Sequence, residues 1–133
     1  MNILLDTHAL IWAVKEPKKL STKSLQTIQS RNNNIYVSVL SFWEISLKIG
    51  TGKMALEDFD IDSLPLGCVA RGYTVVDINP YIAASFHKLP LKEGHKDPFD
   101  RMLIWQAINK GWTLISKDSC FEQYKENGLK ILW

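Results

Sequence analysis

Short apolar runs separated by segments with helical periodicity recur along the whole chain. The first run, Ile3 to Leu5, is continuously apolar, which is typical of a strand buried on both faces of a parallel sheet. Four further β-rich runs predict strands at 35–37, 73–76, 112–115 and 129–132. The strands alternate with segments of a different, helical pattern.

Capping and stop signals bound the predicted helices. Ser21 offers an N-cap for a helix to about Arg31, and Ser38 or Ser41 can cap a helix that ends at Gly50. Further helices are predicted near 9–13, after 62, from Pro80, from 100 to 108 before Gly111, and at 121–126, with a weak signal from 51 to 72. This alternation predicts an α/β fold with a mainly parallel sheet flanked by helices.

Length and composition narrow the class of protein. A chain of 133 residues, 46% hydrophobic and 23% charged, is expected to form a single globular domain over residues 1–133. It has no apolar run near the roughly 18 residues of a membrane span and no signal-peptide pattern, so a cytoplasmic protein without membrane attachment is expected. Two cysteines without a C-x-x-C motif argue against a disulfide scaffold, and a net charge of +2 does not by itself indicate nucleic-acid binding.

Acidic residues follow the predicted strands. Asp6 and Asp118 fall at strand ends, Glu44 lies early in a helix that follows a strand, and Asp100 lies at a helix N-terminus. Because the carboxyl ends of parallel strands converge at one edge, these four carboxylates are expected to meet there, with Asp97 as a fifth.

Crowded carboxylates repel one another unless a cation neutralises them. Mg²⁺ or Mn²⁺ is the natural cation, because hard ions of this kind take oxygen ligands and share them with phosphate groups. Such an ion can lower the pKa of a bound water for attack on a phosphodiester. The pattern leaves open whether one ion or two are bound.

Each acid also has a structural interpretation. Asp6 could cap a helix, Glu44 could be a solvated helix residue, Asp97 and Asp100 could form a turn and cap, and Asp118 could close a turn. The acids would lack a shared function only if the structural interpretation held for every one of them. A shared metal-binding function is therefore preferred.

Several segments together resemble a known family. They are Ile3-Leu4-Leu5-Asp6-Thr7-His8-Ala9, the segment from Ser38 to Trp43-Glu44-Ile45, His95-Lys96-Asp97-Pro98-Phe99-Asp100-Arg101, and Leu114-Ile115-Ser116-Lys117-Asp118. In this order they are similar to PIN-domain proteins of the VapC toxin type, over nearly the whole chain.

The resemblance implies a three-layer α/β/α sandwich and a Mg²⁺- or Mn²⁺-dependent endoribonuclease that acts on RNA as the toxin of a toxin–antitoxin pair. It also implies a homodimer and a cognate antitoxin. By residue-to-residue match, Asp6, Glu44, Asp100 and Asp118 would be the metal-binding acids, with Asp97 an additional catalytic acid. Thr7 and Ser116 match hydroxyl positions that would orient ligands or phosphate.

Other residues near these segments are weaker candidates. Arg101 could hold a phosphate or orient Asp97 with its guanidinium fork. His95 is expected mainly to order its loop. Trp12, Trp43 and Trp105 are expected in the core or a subunit interface rather than stacked on RNA bases.

Two other enzyme classes fit poorly, and one binding function competes. A phosphoacceptor receiver domain would need an acidic pair after the first strand, and a haloacid-dehalogenase-type phosphatase would need Asp-x-Asp where this chain has Asp6-Thr7-His8. The serious alternative is a catalytically inactive PIN-like module that binds RNA or protein. Such an inactive module would be expected to lack one or more of the acids, and all of them are present in this sequence.

Overall fold

A computed structural model describes residues 1–55 and 60–133 of the chain. The strands are β1 (Asn2–Leu5), β2 (Asn34–Ser38), β3 (Thr74–Val76), β4 (Thr113–Ile115) and β5 (Lys130–Leu132). They form one parallel sheet with the order β3-β2-β1-β4-β5. The predicted parallel sheet is therefore confirmed, and β1 lies at its centre.

Helices connect the strands. The α-helices are α1 (Thr7–Lys15), α2 (Thr22–Gln29), α3 (Val39–Gly50), α4 (Leu64–Ala70), α5 (Pro80–Ser85) and α6 (Pro98–Lys110). Short 3₁₀ helices cover Pro17–Lys19, Phe86–Lys88 and Ser119–Asn127. No helix among the described residues combines the length and apolarity needed to cross a membrane.

Three local predictions are refined by the structure. Ser38, rather than Ser41, caps α3, and its Oγ accepts a hydrogen bond from the Leu40 backbone N–H. The predicted last helix is a 3₁₀ helix, and α6 begins at Pro98, two residues before the predicted start. Residues 56–59, within the weak segment from 51 to 72, lie outside the described residues, whereas α4 confirms the helix predicted after residue 62.

The core has two layers, one on each side of the sheet. Ile3 and Leu5 pack into one layer, and Leu4 packs into the other with residues of α6. All three side chains are fully buried, and burial contributes about 1.5–3 kcal/mol for each of them. This confirms the three-layer α/β/α sandwich. Because β1 is held on both faces, the position of the residue that follows it, Asp6, is fixed at the carboxyl edge of the sheet.

Candidate metal centre

Asp6 stands at the centre of the carboxyl edge. β1 and β4 pair in register at Leu5 and Ile115, and the Asp6 backbone N–H donates to the Ile115 carbonyl at 3.1 Å. Asp6 caps α1, since its Oδ1 accepts a hydrogen bond from the Ala9 N–H at 2.7 Å. Burial raises the pKa of the Asp6 carboxyl, although hydrogen bonds from Ser116 and Ala9 act in the opposite direction. The carboxylate is thus costly to ionise without a cation nearby.

Ser116 connects two of the acids. Its side chain hydrogen-bonds to the Asp6 carboxylate, and its Oγ accepts a bond from the Asp118 N–H at 3.1 Å. Only 2% of Ser116 is exposed. The hydroxyl therefore fixes Asp6 relative to the turn that follows β4.

Glu44 reaches the same edge from α3. Thr7 Oγ1 donates to Glu44 Oε1 at 2.7 Å and lies 3.1 Å from Ser41 Oγ. The other oxygen, Oε2, pairs with Lys48 Nζ at 2.9 Å. Glu44 is only 4% exposed. Its buried charge is balanced by one lysine and one hydroxyl, as a buried carboxylate requires.

Asp97 and Asp100 both belong to the start of α6. Asp97 is the N-cap, and its Oδ1 accepts bonds from the backbone N–H groups of Phe99 at 2.8 Å and of Asp100 at 3.2 Å. Asp97 is exposed, whereas Asp100 is partly buried in the first turn. The capping geometry that was an alternative for Asp97 is present, beside the other acids.

The pKa of Asp100 is perturbed by all the other acids of the group. Burial and the charges of the other four carboxylates raise the pKa of Asp100 to about 7, and these four are Asp97, Glu44, Asp6 and Asp118. Each of the four is close enough to oppose the ionisation of Asp100. The four other predicted acids therefore lie within electrostatic range of Asp100, and we call the five residues the acid cluster.

Asp118 lies at the exposed side of the acid cluster. It caps the 3₁₀ helix Ser119–Asn127, with its Oδ1 accepting from the Cys120 N–H at 2.8 Å. Together with Asp6 it lines an open cleft.

His95 packs beneath the acid cluster. Its Nδ1 lies 2.7 Å from the Tyr124 hydroxyl, and its Nε2 lies 3.6 Å from Asp100 Oδ2. The ring is buried, and Nε2 has no hydrogen-bond partner among residues 1–55 and 60–133. Burial lowers the pKa of His95, which favours the neutral imidazole. The bond to Tyr124 agrees with the predicted ordering role, but the approach to Asp100 was not predicted.

The donor set of this edge fits a divalent cation. Ligand atoms of His95, Asp100 and Asp118 all lie within 4.8 Å of one another. The buried Nε2 without a partner and the carboxyl with a pKa near 7 are both groups that a cation would satisfy. Carboxylate oxygens are ligands for hard ions such as Mg²⁺ and Mn²⁺. The group of side chains is therefore suited to hold a metal.

Arg101 does not occupy the place expected from the sequence. Its Nη2 donates to the carbonyls of Leu89 at 2.9 Å and of Pro90 at 3.3 Å, and its guanidinium carbon lies 4.9 Å from the Phe86 ring centre. The residue is only 8% exposed. Because Nη2 bonds to backbone carbonyls and the guanidinium packs on an aromatic face, the side chain stabilises the 86–90 segment. These contacts support neither the expected phosphate contact nor the expected contact with Asp97.

Sequence reasoning also missed Lys48 as a partner of Glu44 and Ser41 as a partner of Thr7. Lys48 stands four residues after Glu44, the spacing at which oppositely charged side chains on a helix meet, so a signal was available. Ser41 stands three residues before it on the same helix, and its contact with Thr7 depends on how α1 packs against α3. The pairing of His95 with Tyr124 spans 29 positions and has no local signal.

Comparisons with known proteins agree with this architecture. A model of the PIN domain matches residues 3–127. The chain is 27% identical over 136 aligned residues to Ribonuclease VapC22 of Mycobacterium tuberculosis, covering 99% of this chain and 98% of that protein.

Solved structures share the fold at lower identity. In the VapBC2 complex from Rickettsia felis, bound to a promoter DNA fragment, the matching chain superposes with a TM-score of 0.67 at 18% identity. That match covers 99% of this chain and 98% of that one. In DNA-bound VapBC from Salmonella typhimurium the TM-score is 0.63 at 16% identity, with 99% and 97% covered. Since the family model extends over all five acids and four of the five strands, the protein belongs to the PIN domain family.

Proposed function

We propose that this protein is a Mg²⁺- or Mn²⁺-dependent endoribonuclease, folded as one PIN-like domain over residues 1–133. The observation that carries the proposal is the position of Asp100 among four other carboxylates, where burial and their charges raise its pKa to about 7. Evolution of a folded chain rarely keeps such repulsion without a use, and perturbed acids cluster at functional sites. A bound divalent cation would supply Lewis-acid stabilisation of phosphate charge and activation of water.

The chain's own residues would prepare this site. Asp6, Glu44, Asp100 and Asp118 would hold the cation, while Asp97 caps α6 and adds negative charge beside Asp100. Thr7 and Ser116 fix the Glu44 and Asp6 carboxylates through buried hydrogen bonds. Hydrolysis would form a bond from a water oxygen to phosphorus and break one P–O bond of the RNA chain. The substrate class is supported by the name of the relative, Ribonuclease VapC22.

The test is cleavage of a mixed RNA pool by the purified protein with Mg²⁺ or Mn²⁺, with and without EDTA. Asp6→Asn and Asp100→Asn should each lower the rate by orders of magnitude, because each removes a charged metal ligand. Asp62→Asn is the matched control, since Asp62 is an exposed aspartate that does not contribute to the pKa shift of Asp100. Cutting that survives EDTA, or equal rates in all three variants, would overturn the proposal.

The same experiment separates catalysis from binding alone. If the wild-type protein retards RNA in a gel but never cuts it, the catalytically inactive binding module becomes the better account. Mixed RNA is needed because the acid cluster gives no information on base sequence.

We further propose that the protein is the toxin of a toxin–antitoxin pair and acts in the cytoplasm with a cognate antitoxin protein. Solved structures that share the fold include VapBC complexes, which supports a protein partner of this kind. Induced expression should arrest growth, and Asp100→Asn should abolish the arrest while the protein still accumulates. Arrest by both forms would contradict toxicity through catalysis.

A homodimer is the assembly we propose, with α3 contributing to its interface. Trp43 is 62% exposed and Leu47 is 46% exposed on this helix, and the Trp43 ring packs edge-on against Phe99 at 5.2 Å. Trp43 therefore lies outside the core, which leaves the subunit-interface interpretation of this residue. Light scattering should give twice the chain mass for the wild type and for Tyr81→Ala, but a monomer for Trp43→Ala. A wild-type monomer would contradict the proposal.

A further inference from the structure

A cleft beside the acid cluster has walls of two different chemical types. It encloses about 270 Å³ and is lined by Asp6, His8, Trp12, Lys117 and Asp118. The two aspartates belong to the acid cluster, whereas the other three residues have no part in the metal centre described above. The cleft therefore begins where a phosphodiester would be cut and continues onto an aromatic and basic surface.

The aromatic wall is built from rings that support one another. The centroids of His8 and Trp12 lie 5.6 Å apart at 39°, and those of Trp12 and Trp133 lie 5.8 Å apart at 60°. His8 is exposed, while Trp12 and Trp133 are partly buried and pack against the core. Trp12 thus packs against the core and also lines the cleft.

A positive charge lies over the same wall. Lys117 is exposed, and its Nζ lies 5.9 Å from the centre of the Trp12 ring. A flat aromatic face beside a cation is the combination that binds single-stranded nucleic acid, because the base stacks while the cation meets the phosphate. The volume is below the roughly 300–1,000 Å³ of pockets for drug-sized ligands, which suits a single base.

We propose that this cleft is a nucleobase subsite, in which the base next to the cleaved phosphodiester stacks on Trp12 and His8 while Lys117 contacts the adjoining phosphate. The inference rests on the proposed ribonuclease function. It assigns substrate positioning to residues that the acid cluster does not include. Stacking of this kind tolerates any base, so the subsite would add affinity with little sequence preference.

The test is a thermodynamic cycle of binding affinities in which a protein variant is combined with an altered RNA. Binding of a short labelled RNA is measured by anisotropy in the Asp100→Asn background, where cutting is removed but the cleft is retained. Two RNAs are compared, one intact and one with an abasic ribose beside the cleaved bond; every position is scanned if the cleavage position is not known. Trp12→Ala should weaken binding of intact RNA about 5- to 100-fold, the range for loss of one base–aromatic stack.

The combination gives the decisive result. The protein that retains Trp12 should bind the abasic RNA more weakly than the intact RNA. Trp12→Ala should not weaken binding of the abasic RNA any further, because loss of the base and loss of the ring remove the same contact. Trp12→Phe should retain most of the affinity, and it also serves if the alanine variant fails to fold. Tyr81→Ala is the control, since Tyr81 is an 84% exposed aromatic on α5 outside the cleft.

The outcomes distinguish this subsite from the proposed function. Additive losses at every abasic position, or equal affinity for Trp12→Ala, Trp12→Phe and Tyr81→Ala, would overturn the subsite while wild-type cutting stands. Coupled losses without any cutting by the wild-type protein would support the cleft and overturn the ribonuclease. Absence of binding to every RNA tested would overturn the subsite, and it would overturn both proposals if the wild-type protein also fails to cut.

Discussion

Thr7 Oγ1 donates a 2.7 Å hydrogen bond to Glu44 Oε1, which joins the first turn of α1 to the middle of α3. Both side chains are almost fully buried. Thr7 directly follows Asp6, so a single short segment both supplies one acid of the cluster and orients another. Lys48 holds the second Glu44 oxygen, so both oxygens of this carboxylate have partners.

Thr7→Val removes this hydroxyl while keeping the shape of the side chain. The buried Glu44 oxygen then lacks its donor, so we expect a loss of about 1–3 kcal/mol in the free energy of unfolding. The rate of RNA cleavage should fall about 10- to 100-fold, the range seen when a residue that orients a metal ligand is lost. Urea unfolding and initial rates measure the two effects. Thr7→Ser should restore both, and failure of serine to do so would contradict the hydroxyl's role.

Asp100 should make the metal-free protein less stable as the pH rises. Its pKa is about 7 in the folded protein against an ordinary value of 3.8, so between these values the folded state binds more protons than the unfolded state. The free energy of unfolding therefore falls as the pH rises from about 4 to 7 and levels off above that range. Urea unfolding in EDTA between pH 5 and pH 8.5 measures this fall.

Asp100→Asn removes the ionisable carboxyl, so the loss of stability that its ionisation causes should disappear. In EDTA at pH 8 we expect the variant to be more stable than the wild type by about 2–4 kcal/mol, and the difference should shrink toward pH 5. Added Mg²⁺ or Mn²⁺ should raise the melting temperature of the wild type but not of Asp100→Asn. Asp62→Asn should behave as the wild type. A pH-independent difference would show that the repulsion does not act through Asp100.

The positions of the acids could be predicted because they depend on strand ends and helix starts. A continuous apolar run such as Ile3 to Leu5 indicates a central strand, and the residue after it must reach the carboxyl edge. Asp100 could be placed by the same logic at the first turn of a helix. In both cases the local sequence pattern and the topology of the parallel sheet indicate the same position for the acid.

The direction of Arg101 could not be predicted from the same information. It adjoins Asp100 in sequence, but its guanidinium turns to carbonyls of Leu89 and Pro90, whose course depends on how α5 packs against α6. Trp43 likewise adjoins Glu44, yet consecutive residues on a helix face different directions, and Trp43 is exposed. Sequence proximity to an acid is thus a poor guide to membership of the site.

Arg101→Met should affect stability rather than substrate binding. It leaves the Leu89 and Pro90 carbonyls without their donor, and we expect the free energy of unfolding to fall by about 1–3 kcal/mol. The KM for RNA should change less than about twofold when measured below the melting temperature, since no phosphate contact is lost. Arg101→Lys should rescue little, because an ammonium cannot reproduce the flat packing of the guanidinium on the Phe86 ring. A large rise in KM with unchanged stability would restore the phosphate-binding interpretation.

Tyr124→Phe tests whether His95 takes part in metal binding or only orders the loop. The hydroxyl lies 2.7 Å from His95 Nδ1, and Tyr124 is fully buried, so its loss leaves the imidazole unanchored at a cost of about 1–3 kcal/mol. Because His95 Nε2 faces Asp100, we expect the Mg²⁺ or Mn²⁺ concentration for half-maximal cleavage to rise about tenfold. Phe121→Leu is the control: Phe121 also packs against the His95 ring, at 5.5 Å, but through apolar contact. It should lower stability without moving the metal midpoint. If Tyr124→Phe likewise lowers stability alone, His95 serves the loop and the metal is held by the carboxylates.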